Sequence, residues 1–152
     1  TFLKLSPPLR SEDDRLALVQ GIKSGLIDVI VSDHTPEDEE GKRLPFAQAA
    51  TGAIGIETLL PLALEMYHNE SLPLKKIIET LTINPAKILK INKGSLIKGS
   101  DADICVFDLD TPWVVKGDVL KSKSKNTAVE ERKLQGKILM TFLNGDLVFE
   151  SA

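Results

Sequence analysis

The stretch DVIVSDHTPEDEEGKR, residues 28–43, joins an apolar run to a run of acids. Residues 27–31 are apolar at every position except Asp28. Continuous rather than alternating hydrophobicity is typical of a strand that is covered on both faces, as in parallel sheets. Asp33 and His34 follow this run closely. The pattern therefore predicts a buried strand that ends near a carboxylate and an imidazole.

The residues before this strand predict an α/β fold. Residues 2–5 are strand-like and end at two prolines, which cannot donate to a sheet ladder. Ser11, with Asp14 three positions later, has the spacing of a helix capping box. Gly25 suits the left-handed end of that helix. The order strand, helix, strand is that of an α/β unit.

Three more helices are predicted beyond a long mobile loop at residues 35–52. Apolar residues at helical spacing place these helices at about residues 55–69, 74–82 and 84–89. From Gly94 onward the chain changes to glycines and short β-like runs. Asn144-Gly145 between apolar runs indicates a type I′ hairpin.

Composition limits the class of protein and its partners. The chain has 152 residues, of which 42% are apolar and 27% charged, as expected for a soluble globular domain. A net charge of −3 gives no reason to expect nucleic acid or an anionic membrane as the partner. No run approaches the roughly 18 apolar residues of a membrane span, so we expect the cytoplasm. The chain begins at Thr1 without a methionine, and we expect it to be part of a longer polypeptide.

Asp33 is the candidate for chemistry. Groups at the carboxyl ends of parallel strands point into the mouth of the active site in α/β sheets and barrels. A carboxylate there can bind a metal ion or take a proton from a metal-bound water. Alternatively, Asp33 shapes a turn and His34 is a hydrogen-bonded structural imidazole. The sequence has no HxH, HExxH or CxxC motif, so this chain cannot complete a metal site by itself.

Four stretches, in this order, resemble the amidohydrolase superfamily, and within it the carboxyl-terminal portion of bacterial class I dihydroorotases. They are KLSPPLRSEDDR, DVIVSDHTPEDEEGKRLPF, GAIGIETLLPLALE and LTINPAKILKINKGSLIKGSDADICVFD. The resemblance implies the C-terminal part of a metal-dependent (β/α)8 barrel, followed by strands of a small β-sandwich-like domain. Residues 1–92 would supply the last two strand/helix units of the barrel. Residues 93–152 would supply the C-terminal segment of the accessory β domain.

The resemblance also implies an activity. Members of this family interconvert N-carbamoyl-L-aspartate and L-dihydroorotate in de novo pyrimidine biosynthesis. The implied cofactor is zinc, as one or two divalent ions held mostly by residues outside this chain. Asp33 would contact the metal, accept a proton from the attacking water and deliver it to the leaving nitrogen. The implied partners are a small-molecule substrate, the N-terminal half of the same polypeptide, and either a second copy or aspartate transcarbamoylase.

The implied substrate-binding residues are Ser6, Glu37, Thr51 and Gly52, and three of them depart from the family pattern. Dihydroorotases usually have Asn at the position of Ser6 and His at that of Glu37. The usual Phe-Gly pair is Thr51-Gly52 in this chain. A carboxylate at Glu37 would repel an anionic substrate unless it is turned away.

Two alternatives stay open, the first of them because of the substitutions at Ser6 and Glu37. One is a noncatalytic dihydroorotase-like scaffold that holds aspartate transcarbamoylase. The other is an enzyme of the hydantoinase or allantoinase type.

Overall fold

Helices occupy the first part of the chain and an antiparallel sheet the last part. The computed structural model describes residues 1–69 and 71–151. The elements in chain order are α1 (Glu12–Ser24), α2 (Glu39–Arg43), α3 (Leu59–His68), α4 (Leu74–Leu81), α5 (Ile83–Leu89), β1 (Ile104–Val114), a 3-10 helix (Gly117–Val119), β2 (Lys133–Leu143) and β3 (Asp146–Glu150).

The ends of α1 confirm the prediction from its sequence. The Ser11 side chain accepts from the Asp14 amide, and the Asp14 carboxylate accepts from the Ser11 amide, which is the reciprocal capping box. Gly25 ends the helix in the left-handed region at φ 81°. Local sequence therefore determines both ends of this helix.

Helix α3 begins later than its apolar spacing predicts. It starts at Leu59, so Pro61 lies in the first turn, where its missing N–H needs no partner. The predicted start near residue 55 is wrong because Gly55 belongs to a preceding turn, in which the Thr58 amide donates to the Gly55 carbonyl at 3.3 Å.

The sheet has the order β1-β2-β3 with antiparallel neighbours. Asn144 and Gly145 join β2 to β3, and their φ angles of 52° and 90° are both positive. Positive φ at both central positions is the requirement of a type I′ turn. The predicted hairpin is therefore confirmed.

Two predicted strands do not form among the described residues. Residues 1–4 make a turn instead, in which the Lys4 amide donates to the Thr1 carbonyl at 3.0 Å. Residues 27–31 lie outside any helix or strand. A strand needs a neighbouring strand for its hydrogen bonds, and in the described ranges neither segment has one. Leu26 and Val31 are consequently 83% and 71% exposed.

The described residues form two hydrophobic cores. The first joins α1, α3 and α4 through Val19, Ile22, Ala63, Leu72 and Ile77. The second combines residues from both parts of the chain: Ile54, Val115, Leu120 and Leu134, with Leu62, Trp113 and Val129 packed against them. The second core attaches the β-rich segment firmly to the helices.

None of the helices in the described ranges has the length and apolar character needed to cross a lipid bilayer.

Candidate active site

A cavity of about 610 Å³ lies where four segments of the chain meet. Its wall comes from residues 5–7, from residues within 30–35 and 52–66, and from residues 128–129. Its volume is within the roughly 300–1,000 Å³ of typical small-molecule sites. Most of its lining is apolar, and Ser6, Ser32, Asp33, Thr35 and Thr58 supply polar side chains.

Asp33 lines this cavity as an exposed residue. Its backbone is in the left-handed region, at φ 43°, a conformation that Asp adopts more readily than most residues. Its carbonyl accepts from the Thr35 hydroxyl at 3.0 Å. Within residues 1–69 and 71–151, its carboxylate makes no hydrogen bond and no ion pair. The carboxylate is therefore available to a ligand in the cavity.

Two glycines hold the backbone around Asp33 in place. Residues 32–35 run beside residues 52–55, and the Thr35 amide donates to the Ala53 carbonyl at 2.9 Å. A Cβ at Gly55 would lie 2.7 Å from the Ser32 carbonyl oxygen, and one at Gly52 would lie 2.7 Å from that of Thr35. Only glycine permits so close a backbone approach.

His34 does not line the cavity, and its ring accepts hydrogen bonds from the backbone. The amides of Gly55 and Ile56 donate to its Nδ1 at 3.1 and 3.4 Å. The ring thereby ties the segment of Asp33 to the turn before α3. Of the two interpretations of His34, the hydrogen-bonded structural imidazole is the one that agrees with this geometry.

The structure brings only some of the predicted substrate residues to the cavity. Ser6 and Gly52 line it together with Asp33, whereas Thr51 and Glu37 do not. Glu37 lines a separate hollow beside Arg43, Lys123 and Lys125. The backbone groups of Gly52 already have partners, because its amide donates to the Lys4 carbonyl and its carbonyl accepts from Lys42 and Asn126.

Asn126 is a buried residue of the site that the sequence does not indicate. Its Nδ2 donates to the Gly52 carbonyl at 3.3 Å, and its Oδ1 accepts from the Glu37 amide at 3.3 Å. Its own carbonyl accepts from the Ile54 amide at 3.2 Å. Asn126 follows a lysine-rich run whose pattern indicates only a solvated loop.

The described residues do not form a complete metal site. No group of three or more His, Cys, Asp or Glu side chains in the described ranges could hold a metal ion. Asp33 fits a contribution to such a site, because its carboxylate is unpaired and lies on a cavity wall. Among the described residues, Asp33 is the carboxylate that lines the cavity and the oxygen ligand that this part of the chain would offer.

Comparison with known proteins identifies the family. The profile of the amidohydrolase family matches residues 5–148. The chain belongs to the amidohydrolase family. Among its relatives, the dihydroorotase of Ehrlichia chaffeensis is 45% identical over 99% of this chain. The dihydroorotase of Aquifex aeolicus is 42% identical over 97% of it. The chain spans only about a third of the length of these curated relatives, 34% and 35% respectively.

Solved structures of other amidohydrolases share the fold. L-hydantoinase (dihydropyrimidinase) from Arthrobacter aurescens matches with a TM-score of 0.88 and 34% identity, over 98% of this chain and 34% of that one. Dihydropyrimidinase from Brevibacillus agri NCHU1002 matches with a TM-score of 0.90 and 23% identity, over 97% of this chain and 34% of that one. The predicted fold class, the α/β fold of the amidohydrolase barrel proteins, is confirmed.

Proposed function

We propose that this chain is part of a metal-dependent dihydroorotase, which interconverts N-carbamoyl-L-aspartate and L-dihydroorotate. The observation that carries the proposal is the unpaired Asp33 carboxylate on the wall of a cavity of about 610 Å³. Its support is the 45% identity to a dihydroorotase, which extends over 99% of the chain.

In this proposal Asp33 moves the proton. One of its carboxylate oxygens accepts a proton from the water that attacks the ring amide, and then gives it to the ring nitrogen as the bond to carbon breaks. A carboxylate suits this role because it returns to its anionic form after each turnover. When bound, divalent ions supply a more acidic water and a polarised amide carbonyl. Ser6 and the Gly52 backbone form the wall against which the ring lies.

Replacement of Asp33 tests this role. Asp33→Asn keeps the shape of the side chain but removes the proton acceptor, so we expect turnover of carbamoyl aspartate by the complete gene product to fall roughly 10²- to 10⁴-fold. The measurement is the steady-state rate, with bound metal quantified in the same preparations. Asp13→Asn, at an exposed position of α1, is the matched control and should retain the parental rate. Unchanged turnover in Asp33→Asn would rule out the proposed role.

Zinc, the pathway, the cellular location and protein partners belong to the same proposal. We infer one or two zinc ions, with Asp33 as the ligand from this chain and the other ligands outside it. The reaction would then serve pyrimidine biosynthesis in the cytoplasm. A homodimer or a complex with aspartate transcarbamoylase is the proposed assembly. A contact between the substrate and Thr51 or Glu37 remains a prediction, because neither residue lines the cavity.

A hydantoinase-type activity is the second candidate, and one observation favours it. None of the described residues that line the cavity is basic. Dihydroorotate carries a carboxylate, which favours a cationic partner, whereas hydantoin and dihydrouracil are neutral rings. The structural similarity to L-hydantoinase points the same way.

A substrate panel separates these candidates from each other and from the scaffold. The complete gene product is assayed with dihydroorotate, hydantoin, dihydrouracil and allantoin at equal metal loading. Dihydroorotase activity predicts that dihydroorotate has the highest kcat/KM. A preference for a neutral ring would favour the hydantoinase type. No turnover of any ring would favour the scaffold, although Glu37 lies outside the cavity and does not oppose an anionic substrate there.

A further inference from the structure

Lys42 is a buried lysine whose charge is held by backbone carbonyls. Its exposed fraction is 0%. Its Nζ donates to the carbonyls of Lys4, Ala50 and Gly52 at 3.2, 3.0 and 2.9 Å. No carboxylate in the described ranges lies within ion-pair distance of it. An ammonium group has three hydrogens to donate, so each of them has a partner here. Such complete pairing is what makes burial of the charge tolerable.

The three carbonyls belong to the segments that form one wall of the cavity. Lys4 precedes Leu5 and Ser6, which line the cavity, and Gly52 lines it directly. The Gly52 amide donates to the same Lys4 carbonyl at 3.0 Å. Lys42 thus joins the Ser6 segment to the Gly52 segment from behind the wall, without itself reaching the cavity.

Charged neighbours of Lys42 act on it in opposite directions. Burial lowers the pKa of its ammonium group, the Glu37 carboxylate raises that pKa, and the Lys4 ammonium lowers it further. Lys4 itself donates to the carbonyls of Ala47 and Ala49 at 3.1 and 2.8 Å. The two lysines therefore hold residues 47–52 against the start of the chain, and Glu37 is the countercharge that acts on Lys42.

We propose that Lys42 is a positioning residue, which fixes the Ser6 and Gly52 wall of the cavity relative to Asp33. This inference rests on the proposed function, which supplies the identity of the bound substrate. Its hydrogen bonds reach residues 4, 50 and 52 but not residues 32–34, where the close approach of Gly55 to Ser32 fixes the backbone beside Asp33. Lys42 therefore sets how the ring is held rather than how the proton moves. Loss of its ammonium group should weaken substrate binding and leave the chemical step largely intact.

Kinetics of Lys42→Met in the complete gene product test this inference. Methionine fills the volume but removes all three hydrogen bonds that Nζ donates, whereas the Lys4 and Gly52 carbonyls keep the Gly52 amide and Asn126 as their other donors. We therefore expect KM to rise roughly tenfold while kcat changes less than about threefold. Lys75→Met, at an exposed position of α4, is the control and should leave both constants unchanged. A lower melting temperature without a change in KM would show a merely structural role and overturn the inference.

Amide hydrogen exchange provides a readout that does not depend on the activity. Lys42→Met should accelerate exchange of the Gly52 amide and of the amides of residues 2–6, with no change in α4 or α5. Unchanged exchange at these positions, or a uniform increase over the whole chain, would overturn the inference. If the Met variant does not fold, Lys42→Gln replaces it, because its amide keeps two donors and should give a smaller local increase. If the parental protein turns over no ring, the proposed function fails and exchange alone decides the role of Lys42.

Discussion

Asp33 shows how neighbouring residues hold a functional side chain in an unfavourable backbone conformation. A non-glycine residue in the left-handed region costs about 1–2 kcal/mol. Such a conformation persists only where the surroundings determine it. Here the Thr35 hydroxyl donates to the Asp33 carbonyl, and the close approach of Gly55 to the Ser32 carbonyl fixes the residue before Asp33. The orientation of the carboxylate therefore depends on backbone contacts of neighbouring residues as well as on Asp33 itself.

Gly55→Ala tests this dependence. The new methyl group would lie 2.7 Å from the Ser32 carbonyl, next to Asp33, and this backbone cannot yield as a side chain would. We expect the free energy of unfolding of the complete gene product to fall by about 1–3 kcal/mol, as measured by urea denaturation. Turnover should fall as well, because Asp33 moves with Ser32.

Gly21→Ala is the matched control for Gly55→Ala. Its methyl group meets the flexible end of the Ile27 side chain, at 2.9 Å from Cδ1, and alanine also favours helix α1. We expect a change in stability of less than about 1 kcal/mol. Equal losses in the two variants would contradict the assigned role of Gly55.

Among the elements, the start of β1 is anchored to the β2–β3 turn by one small charged cluster. Lys93 Nζ lies 2.7 Å from a carboxylate oxygen of Asp101 and 2.5 Å from one of Asp103. The Asn144 amide donates to the other carboxylate oxygen of Asp103 at 2.8 Å. The hydrogen bond from Lys93, followed by that from Asn144, lowers the pKa of Asp103 below its ordinary value.

This cluster predicts a specific response to acid. A carboxyl group with a lowered pKa in the folded state contributes stability that is present above its ordinary pKa of about 3.9. That contribution is lost as the pH falls through the lower, folded value. We therefore expect the unfolding free energy of Asp103→Asn to fall less steeply than that of the parent below about pH 4. Urea denaturation at several pH values measures both slopes.

Asp146→Asn serves as the control in the acid series, because it removes an exposed acid of β3 outside the cluster. The unfolding free energy of Asp146→Asn should change with pH as that of the parent does. If the unfolding free energy of Asp103→Asn falls with pH as steeply as that of the parent, the stabilising role of the cluster is disproved.

Elements that depend on local residues were predictable, and those that depend on distant partners were not. Ser11, Gly25 and Asn144-Gly145 specify their caps and turn within a few positions. Residues 27–31 have the pattern of a buried strand, but a strand also needs a neighbour, which the described residues do not provide. Helix α2 lies in a segment predicted to be mobile, and its order comes from contacts of Lys42 with residues 4, 50 and 52.

The candidate site was likewise predictable only in part. The family resemblance pointed to Asp33, Ser6 and Gly52, and these residues do share one cavity. Lys42 and Asn126 escaped prediction because their partners are mainly backbone groups far along the chain. A sequence pattern cannot indicate such partners, because every residue has a backbone carbonyl and the sequence does not distinguish one from another.

At the scale of the whole molecule, apolar surface is unusually exposed. Leu26, Val31, Leu96 and Ile97 are 83%, 71%, 80% and 69% exposed. Large exposed apolar patches on a soluble chain mark interaction surfaces or aggregation sites. We therefore predict that the isolated 152-residue chain self-associates, as measured by size-exclusion chromatography with light scattering.

Two double variants locate the surface responsible for this association. Leu26→Gln with Val31→Gln should increase the monomer fraction, because these two exposed side chains lie at the two ends of the segment that lacks a strand partner. Leu96→Gln with Ile97→Gln, in the β-rich part, is the comparison and should have the smaller effect. A monodisperse parental monomer that unfolds cooperatively would contradict both the self-association and the barrel interpretation of residues 1–92.

The second core has a practical consequence for recombining this chain with its relatives. Residues 126–129 return from the β-rich part to complete the cavity, with Ile54 bridged to Thr127. A chimera with its crossover at position 92 would inherit the two halves of that wall from different parents. Residues 52–66 and 115–134 should therefore come from one parent, which excludes any single crossover between positions 66 and 115.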